Sequence, residues 1–434
     1  MEETEVKNKI KQSNKHDPKL AMLLSIIPGL GQVYNRRFIK GAILFIFFLS
    51  FLTVFYNFLN IGFWGLFTLG EIPGLDDSRV LLAQGIISLI IVAFALTFYI
   101  SNMIDAYKDA RKIQAGWKIP SIKTNFRNAW DKGFPYLLVG PGLFLLIFIV
   151  IFPLLFMSFL AFTDYNLYNS PPKNVLNWVG FSNFYDLIDV PLWRNTFFSV
   201  LSWTLIWTLI STTLQIALAL FLAILVNDKR LKFKRLIRTV LILPWAVPGF
   251  VTILIFSALF NDGFGGINQD IIIPLFGTGI PWLTDPFWTK VALIAMQVWL
   301  GFPFIFALFT GILQSISMEW YEAADIDGAS RWQKFKNITF PHLMFASAPL
   351  LIMQYAGNFN NFNIIYLFNE GGPALRGQNA GGSDILISWV YRLTFETQNF
   401  NIAAAISLII GLMVAGFAFF QFRRTRSFKE EGEM

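Results

Sequence analysis

The 434-residue sequence has no cysteine, two histidines (His16 and His342) and only 14% charged residues. The missing cysteine excludes disulfides, thiolate metal sites and a cysteine nucleophile. Two histidines leave almost nothing for an imidazole-based zinc site, and no metal or cofactor is expected. Soluble chains carry roughly 25% charged residues, so about half the usual solvating charge is absent. No phosphate-binding GxxxxGK[ST] occurs either, so the chain does not bind ATP through a P-loop. Apolar residues fill the space: 55% of the chain is hydrophobic and 17% aromatic, with 48 Phe and 14 Trp. The mean hydropathy is +0.55. Such a chain is expected to live in a bilayer.

Eight uncharged apolar runs are long enough to cross a hydrocarbon core, which needs about 20 helical residues. They lie near 41–59, 80–100, 135–162, 196–226, 239–260, 291–313, 343–368 and 401–422. Continuous runs exclude a β-barrel, so an all-α polytopic membrane protein is expected. Of the 34 Lys/Arg, 28 fall in segments 1–40, 101–134, 227–238, 314–342 and 423–434. The positive-inside rule then predicts that both termini are cytoplasmic. The net charge of +7 thus reads as topology and attraction to anionic lipid, not nucleic acid. Segment 20–34 (LAMLLSIIPGLGQVY) is too short to cross and has Pro28-Gly29 at its centre. It is expected to be an interfacial or re-entrant helix pair. No removable signal peptide is expected.

The predicted organisation is a basic tail with the interfacial segment (1–40), then two helices and a basic loop (41–134). A third helix with a short external loop (135–195) comes next. A five-helix core occupies 196–422 and a cytoplasmic tail 423–434.

None of the runs holds Asp, Glu, Lys, Arg or His. This weighs against proton-coupled pumps and voltage sensors, and less strongly against Na⁺ coupling through backbone carbonyls. The runs carry amides instead. Gln354, Asn358, Asn360, Asn361 and Asn363 crowd into QYAGNFNNFN, where an unpartnered amide facing lipid is costly. In a helix Gln354, Asn358 and Asn361 share one stripe. Gln297, Leu300, Gly301 and Phe304 share another. Two readings stand. Small and amide residues join transmembrane helices, or the stripes form a neutral polar pocket with aromatic walls, as an uncharged sugar requires.

Between the two stripes lies EWYEAADIDGASRWQKFKNITFPH, residues 319–342. It starts acidic and ends basic, the order a helix macrodipole favours. Gly328 interrupts it and Ser330 can cap a second helix, so two short helices with a turn are predicted. Tyr321, Ala324, Trp332 and Phe335 give it an apolar side, fit either for a partner or for lipid headgroups.

Glu322-Ala323-Ala324, three residues, Gly328, nine residues, Ile338, one residue and Phe340-Pro341 resemble the "EAA" loop of ABC importer permeases. Phe340 stands where the family usually has Leu. The resemblance implies that Glu322, Ala323, Ala324 and Gly328 contact a separate ATPase subunit, so this chain is itself no enzyme. Over roughly 135–425 the sequence resembles the larger permease subunit of the maltose/maltodextrin importers. The match includes LPWAVPGFVTILIF (243–256), VWLGFPFIF (298–306), NFNNF (358–362) and NEGGP (369–373).

That resemblance implies a malto-oligosaccharide site at Gln297, Leu300, Gly301, Phe304, Gly357, Asn358 and Asn361. Gln297 replaces a family Asn, Phe304 a Tyr and Gly357 a Phe, which implies a roomier pocket or a different sugar. It also implies a second homologous permease, two ATPase copies, an extracellular solute-binding protein and a bacterial cell membrane. The short outer segment 163–195 and the N-terminal PGLGQVYNRR stretch resemble Gram-positive permeases. The grip on the binding protein is then expected from loops 261–289 and 369–400. A galactoside or raffinose-type sugar is the alternative substrate. An ATP-independent transporter, or a membrane enzyme using Asp76-Asp77, would leave the EAA spacing unaccounted for.

Overall fold

The computed structural model describes residues 16–117, 122–228 and 230–424. The basic stretch before residue 16 and the tail from 425 onward, with the charges counted there, lie outside the described residues. Two compact units divide between Trp178 and Val179. Regular structure among the described residues is helical, apart from isolated bridges between Thr163 and Trp178 and between Ala374 and Gly381.

The first unit contains α1 (Pro18–Leu24), α2 (Leu30–Tyr34), α3 (Phe38–Thr68), α4 (Ser78–Gln114), α5 (Ile122–Leu146) and α6 (Phe152–Leu160). A π turn at Ile147–Ile151 makes α5 and α6 continuous. On α3, Val54 is 70% and Phe67 76% exposed, which only an apolar solvent tolerates in a helix so uniformly hydrophobic. The expected short helix pair is present as α1 and α2, and its pattern is inverted relative to a water-soluble protein. Ser25, Gln32 and Asn35 are fully buried, while Leu20, Leu23, Ile26 and Ile27 face outward. The Gln32 amide donates to Asn102 Oδ1 on α4 at 2.8 Å, and Asn35 donates to the Ala106 carbonyl at 2.8 Å. The acidic pair has structural work: Asp76 accepts from the backbone N–H of Glu71 and Ile72, and Asp77 caps α4.

The second unit contains α7 (Ser182–Asp189), α8 (Pro191–Asn227), α9 (Lys234–Ile242), α10 (Gly249–Leu259), α11 (Ile273–Phe276) and α12 (Pro286–Ser315). It continues with α13 (Met318–Ile326), α14 (Arg331–Lys334), α15 (Phe340–Phe359), α16 (Phe362–Asn369), α17 (Leu386–Phe395) and α18 (Phe400–Arg424).

Six helices among the described residues are long and apolar enough to span a membrane, and a bent pair makes up to seven. The run 239–260 is not one straight helix. It is the bent pair, α9 and α10 meeting at 88°, because Pro244 and Pro248 remove backbone donors and their rings obstruct the helical ladder. The run 343–368 is also divided, into α15 and α16, with Asn360 and Asn361 at the break.

Two clusters of buried side chains run along α8 and α12. One gathers Trp203, Trp207, Leu293, Met296, Ile365 and Phe368. The other gathers Ala219, Ala223, Phe302, Phe306, Phe309 and Leu343. Gln297 and Gly301 fall in the short interval of α12 between them. The loops expected to face outward are internally fastened. Asp262 accepts from Leu283 N–H and the Thr284 hydroxyl, and buried Asp384 accepts from Gly381 N–H and the Ser388 hydroxyl.

Candidate functional site

The elbow between α9 and α10 bends because its chemistry cannot continue a helix. Leu243–Ala246 tightens into a 3₁₀ turn, Val247 is extended, and Pro248 precedes the first turn of α10. The elbow walls a cavity of about 790 Å³, within the usual range for small-molecule sites. Gln297, Leu300, Gly301 and Phe304 of α12 supply a second wall, and Gln354, Asn361, Asn363 and Ile364 a third. Trp245 meets Phe304 edge to face at 5.8 Å. No Asp, Glu, Lys, Arg or His lines this cavity among the described residues.

Behind the wall, amides are wired across three helices. Gln297 Nε2 donates to Asn358 Oδ1 at 2.7 Å, and Asn358 Nδ2 donates to the Thr212 hydroxyl at 2.7 Å. Asn361 Nδ2 donates to Gln297 Oε1 at 3.1 Å. Gln215, fully buried on α8, donates to the Gln297 carbonyl at 3.0 Å and accepts from Gln354 at 3.2 Å. The Trp207 indole donates to the Asn358 carbonyl at 2.9 Å. Buried amides so connected hold one another's rotamers. Gly301 is required by close approach, since a Cβ there would overlap the Gln215 side chain.

Of the seven residues singled out from the sequence, five line the cavity: Gln297, Leu300, Gly301, Phe304 and Asn361. Asn358 does not. It is 2% exposed and lies behind Gln297, holding it. Gly357 is not on the wall either, and the space around its Cβ position is empty. A stripe through Asn361 requires a helix that reaches it, whereas α15 ends at Phe359. Asn361 arrives at the same place from the break. Thr212 and Gln215 were missed. Their signal was Gln215, the single amide in the run 196–226, with Thr212 one turn before it. The elbow itself, Pro244 to Phe250, was noticed only as a matching motif.

The loop between α12 and α15 is built as the sequence predicts at its start. Ser317 caps α13, and Gly328 turns the chain at φ +73°, a conformation that favours glycine. Ser330 and Gln333 form a capping box on α14. The second helix then runs without a stop through a π turn (Phe335–Thr339) into α15. Lys334 pairs with Asp325 across the turn, and the Tyr321 and Thr339 hydroxyls meet at 2.9 Å. Glu322, Ala323 and Gly328 are exposed and Ala324 half-buried. Trp320, Ile326 and Trp332 add exposed apolar surface, Ile326 at 88%.

Residues 215–427 match the family described as the inner membrane component of binding-protein-dependent transport systems. The chain is 53% identical, over 95% of its length and 99% of the relative's, to the galactooligosaccharides transport system permease protein of Bacillus subtilis. The chain belongs to this permease family. The permease is also 45% identical to a maltodextrin transport system permease protein of Bacillus subtilis, over 97% of this chain and 100% of that one. Among solved structures, it resembles a chain of a bacterial ABC transporter that imports the acidic polysaccharide alginate. The TM-score is 0.58 at 19% identity, covering 70% of this chain and 98% of that one. That likeness supports the fold of the permease core.

Proposed function

We propose that this permease is the membrane subunit of an ATP-driven importer for a neutral oligosaccharide. The observation that carries the reading is the cavity: amides and aromatic rings line it, and no ionisable side chain does. Amides donate to and accept from hydroxyls, and Trp245 and Phe304 offer apolar faces for sugar rings. An acidic polysaccharide would find no counter-charge on this wall.

Gln297, Leu300, Gly301, Phe304 and Asn361 contact the sugar in this reading, and Asn358 orients Gln297 from behind. Glu322, Ala323, Ala324 and Gly328 dock on a separate ATPase subunit, present in two copies. A second homologous permease completes the path, and an extracellular binding protein delivers the sugar. The chain crosses a bacterial plasma membrane eight times, with the α9–α10 pair and the α15–α16 pair each counted as one broken crossing and both termini inside. A sugar drives the transport cycle only through unequal affinity for its states.

A galacto-oligosaccharide is the first substrate class, because the relative named for it shares 53% identity against 45% for the maltodextrin relative. Malto-oligosaccharides are the second. The test is ATP hydrolysis by the reconstituted transporter with its binding protein and both sugar series. Stimulation by galacto-oligosaccharides that is lost in Gln297→Ala supports the first reading, and stimulation by malto-oligosaccharides alone replaces it. ATP-independent uptake would overturn the importer.

A further inference from the structure

The amides of the cavity wall differ in how much hydrogen-bonding capacity they have left. Gln297 is 5% exposed, and both ends of its side chain are engaged, Nε2 donating to Asn358 and Oε1 accepting from Asn361. Gln354 and Asn361 are half-buried. Each already donates from its amide nitrogen, to Gln215 at 3.2 Å and to Gln297 at 3.1 Å. Asn363 differs from all three. It lines the same cavity and is exposed. Among the described residues, neither end of its side-chain amide has a partner.

An unpaired amide is costly at this place in the chain. Asn363 lies in the first turn of α16, within the apolar run 343–368, where hydrocarbon offers an amide nothing to bond. Gln354, Asn358 and Asn361 of the same run meet that demand inside the protein. Asn363 leaves it to whatever fills the cavity. The start of α16 adds to the deficit. Its N-cap, Asn361, makes no side-chain cap bond, because its amide is spent on Gln297. The first-turn N–H groups therefore lack their usual acceptor.

We propose that Asn363 is a specificity-determining residue of the sugar site, accepting from one hydroxyl and donating to the adjacent hydroxyl of the same ring. The assignment rests on the reading of this cavity as a sugar site. An amide offers an acceptor and two donors side by side, and each sugar hydroxyl both donates and accepts. Gln297, Gln354 and Asn361 are held within the network, whereas Asn363 is free to follow the hydroxyl pattern of the sugar that enters.

The test is sugar binding to the reconstituted transporter without its binding protein, followed by tryptophan fluorescence, since Trp245 is on the cavity wall. The probes are galactotriose, maltotriose and the monodeoxy analogues of each. Asn363→Leu should raise the dissociation constant of the better-bound sugar roughly tenfold, the worth of one or two hydrogen bonds. That factor should shrink toward one for analogues lacking either contacted hydroxyl. Asn363→Gln, which keeps an amide, should lose less, and the melting temperature of both variants should match the unaltered chain. Unchanged affinity in Asn363→Leu, with Gln297→Ala still weakening binding, overturns this assignment and leaves the sugar cavity standing. A loss of the same factor for every analogue also overturns it, because Asn363 would then act through packing or a neighbouring subunit. No saturable binding by the unaltered transporter removes the sugar cavity and this assignment with it.

Discussion

Gln297 and Asn358, 61 residues apart, share a 2.7 Å hydrogen bond that joins α12 to α15 behind the cavity wall. Asn358 is sealed from the cavity, so its action on any bound sugar passes through Gln297. Asn358→Ala would strand the Gln297 amide and the Thr212 hydroxyl, at about 1–3 kcal/mol for each buried group left unpaired. The melting temperature in detergent should fall by several degrees and the KM for uptake should rise. An unchanged melting point would show that the network carries little stability.

Gly301 and Gln215 are matched by shape. Gly301→Val should overpack the α8–α12 contact by about 1–3 kcal/mol and abolish uptake. Gln215→Ala in the same chain should restore part of the stability, because it removes the overlapping side chain. A double variant no more stable than Gly301→Val would refute the steric account.

Gly328→Pro places a fixed negative φ where the chain needs +73°. The turn between α13 and α14 would open and separate Lys334 from Asp325. Assembly with the proposed ATPase subunit should persist while sugar-stimulated hydrolysis is lost. Uptake at the normal rate in this variant would remove the coupling role proposed for the loop.

Asp76 supplies an acid-sensitive contact. Backbone N–H groups of Glu71 and Ile72 hold its carboxylate below the usual range. Because the folded value is depressed, its contribution is complete above the unfolded value and lost as pH falls through the folded one. Protection of the amides in residues 69–77, measured against their intrinsic exchange rates, should fall on acidification, and Asp76→Asn should show weakened protection already at neutral pH. Exchange in Asp76→Asn that matches the unaltered chain at neutral pH would contradict this.

Most of the fold was legible because lipid imposes a simple rule: long uncharged runs form helices. The six unbroken spans and the start of the 319–342 loop derive from composition, capping residues and Gly328. The breaks were harder. Pro244 and Pro248 mark the elbow, but apolar content alone made 239–260 look like one crossing. Asn360 and Asn361 end α15 early, and residue spacing gives no sign of a helix that stops within its own period. Asn361 reached the cavity wall regardless, while Asn358, on the same stripe, turned away to fasten helices. Thr212 and Gln215 stayed hidden because a lone amide in an apolar span gains meaning only from the helix facing it.

The inverted polarity of α1 and α2 reverses the usual order of vulnerability. In a water-soluble protein heat loosens an apolar interior. Here the buried side of the hairpin carries Ser25, Gln32 and Asn35 beside small residues such as Ala21 and Gly31, and it meets Asn102 of α4, so its polar contacts are ones that water would gladly replace. Hydrocarbon preserves their contacts by offering them nothing better. Thin or short-chained detergents that admit water should therefore undo this hairpin first, while the rest of the chain is still folded. For the N-terminal unit, dryness is the stabilising condition.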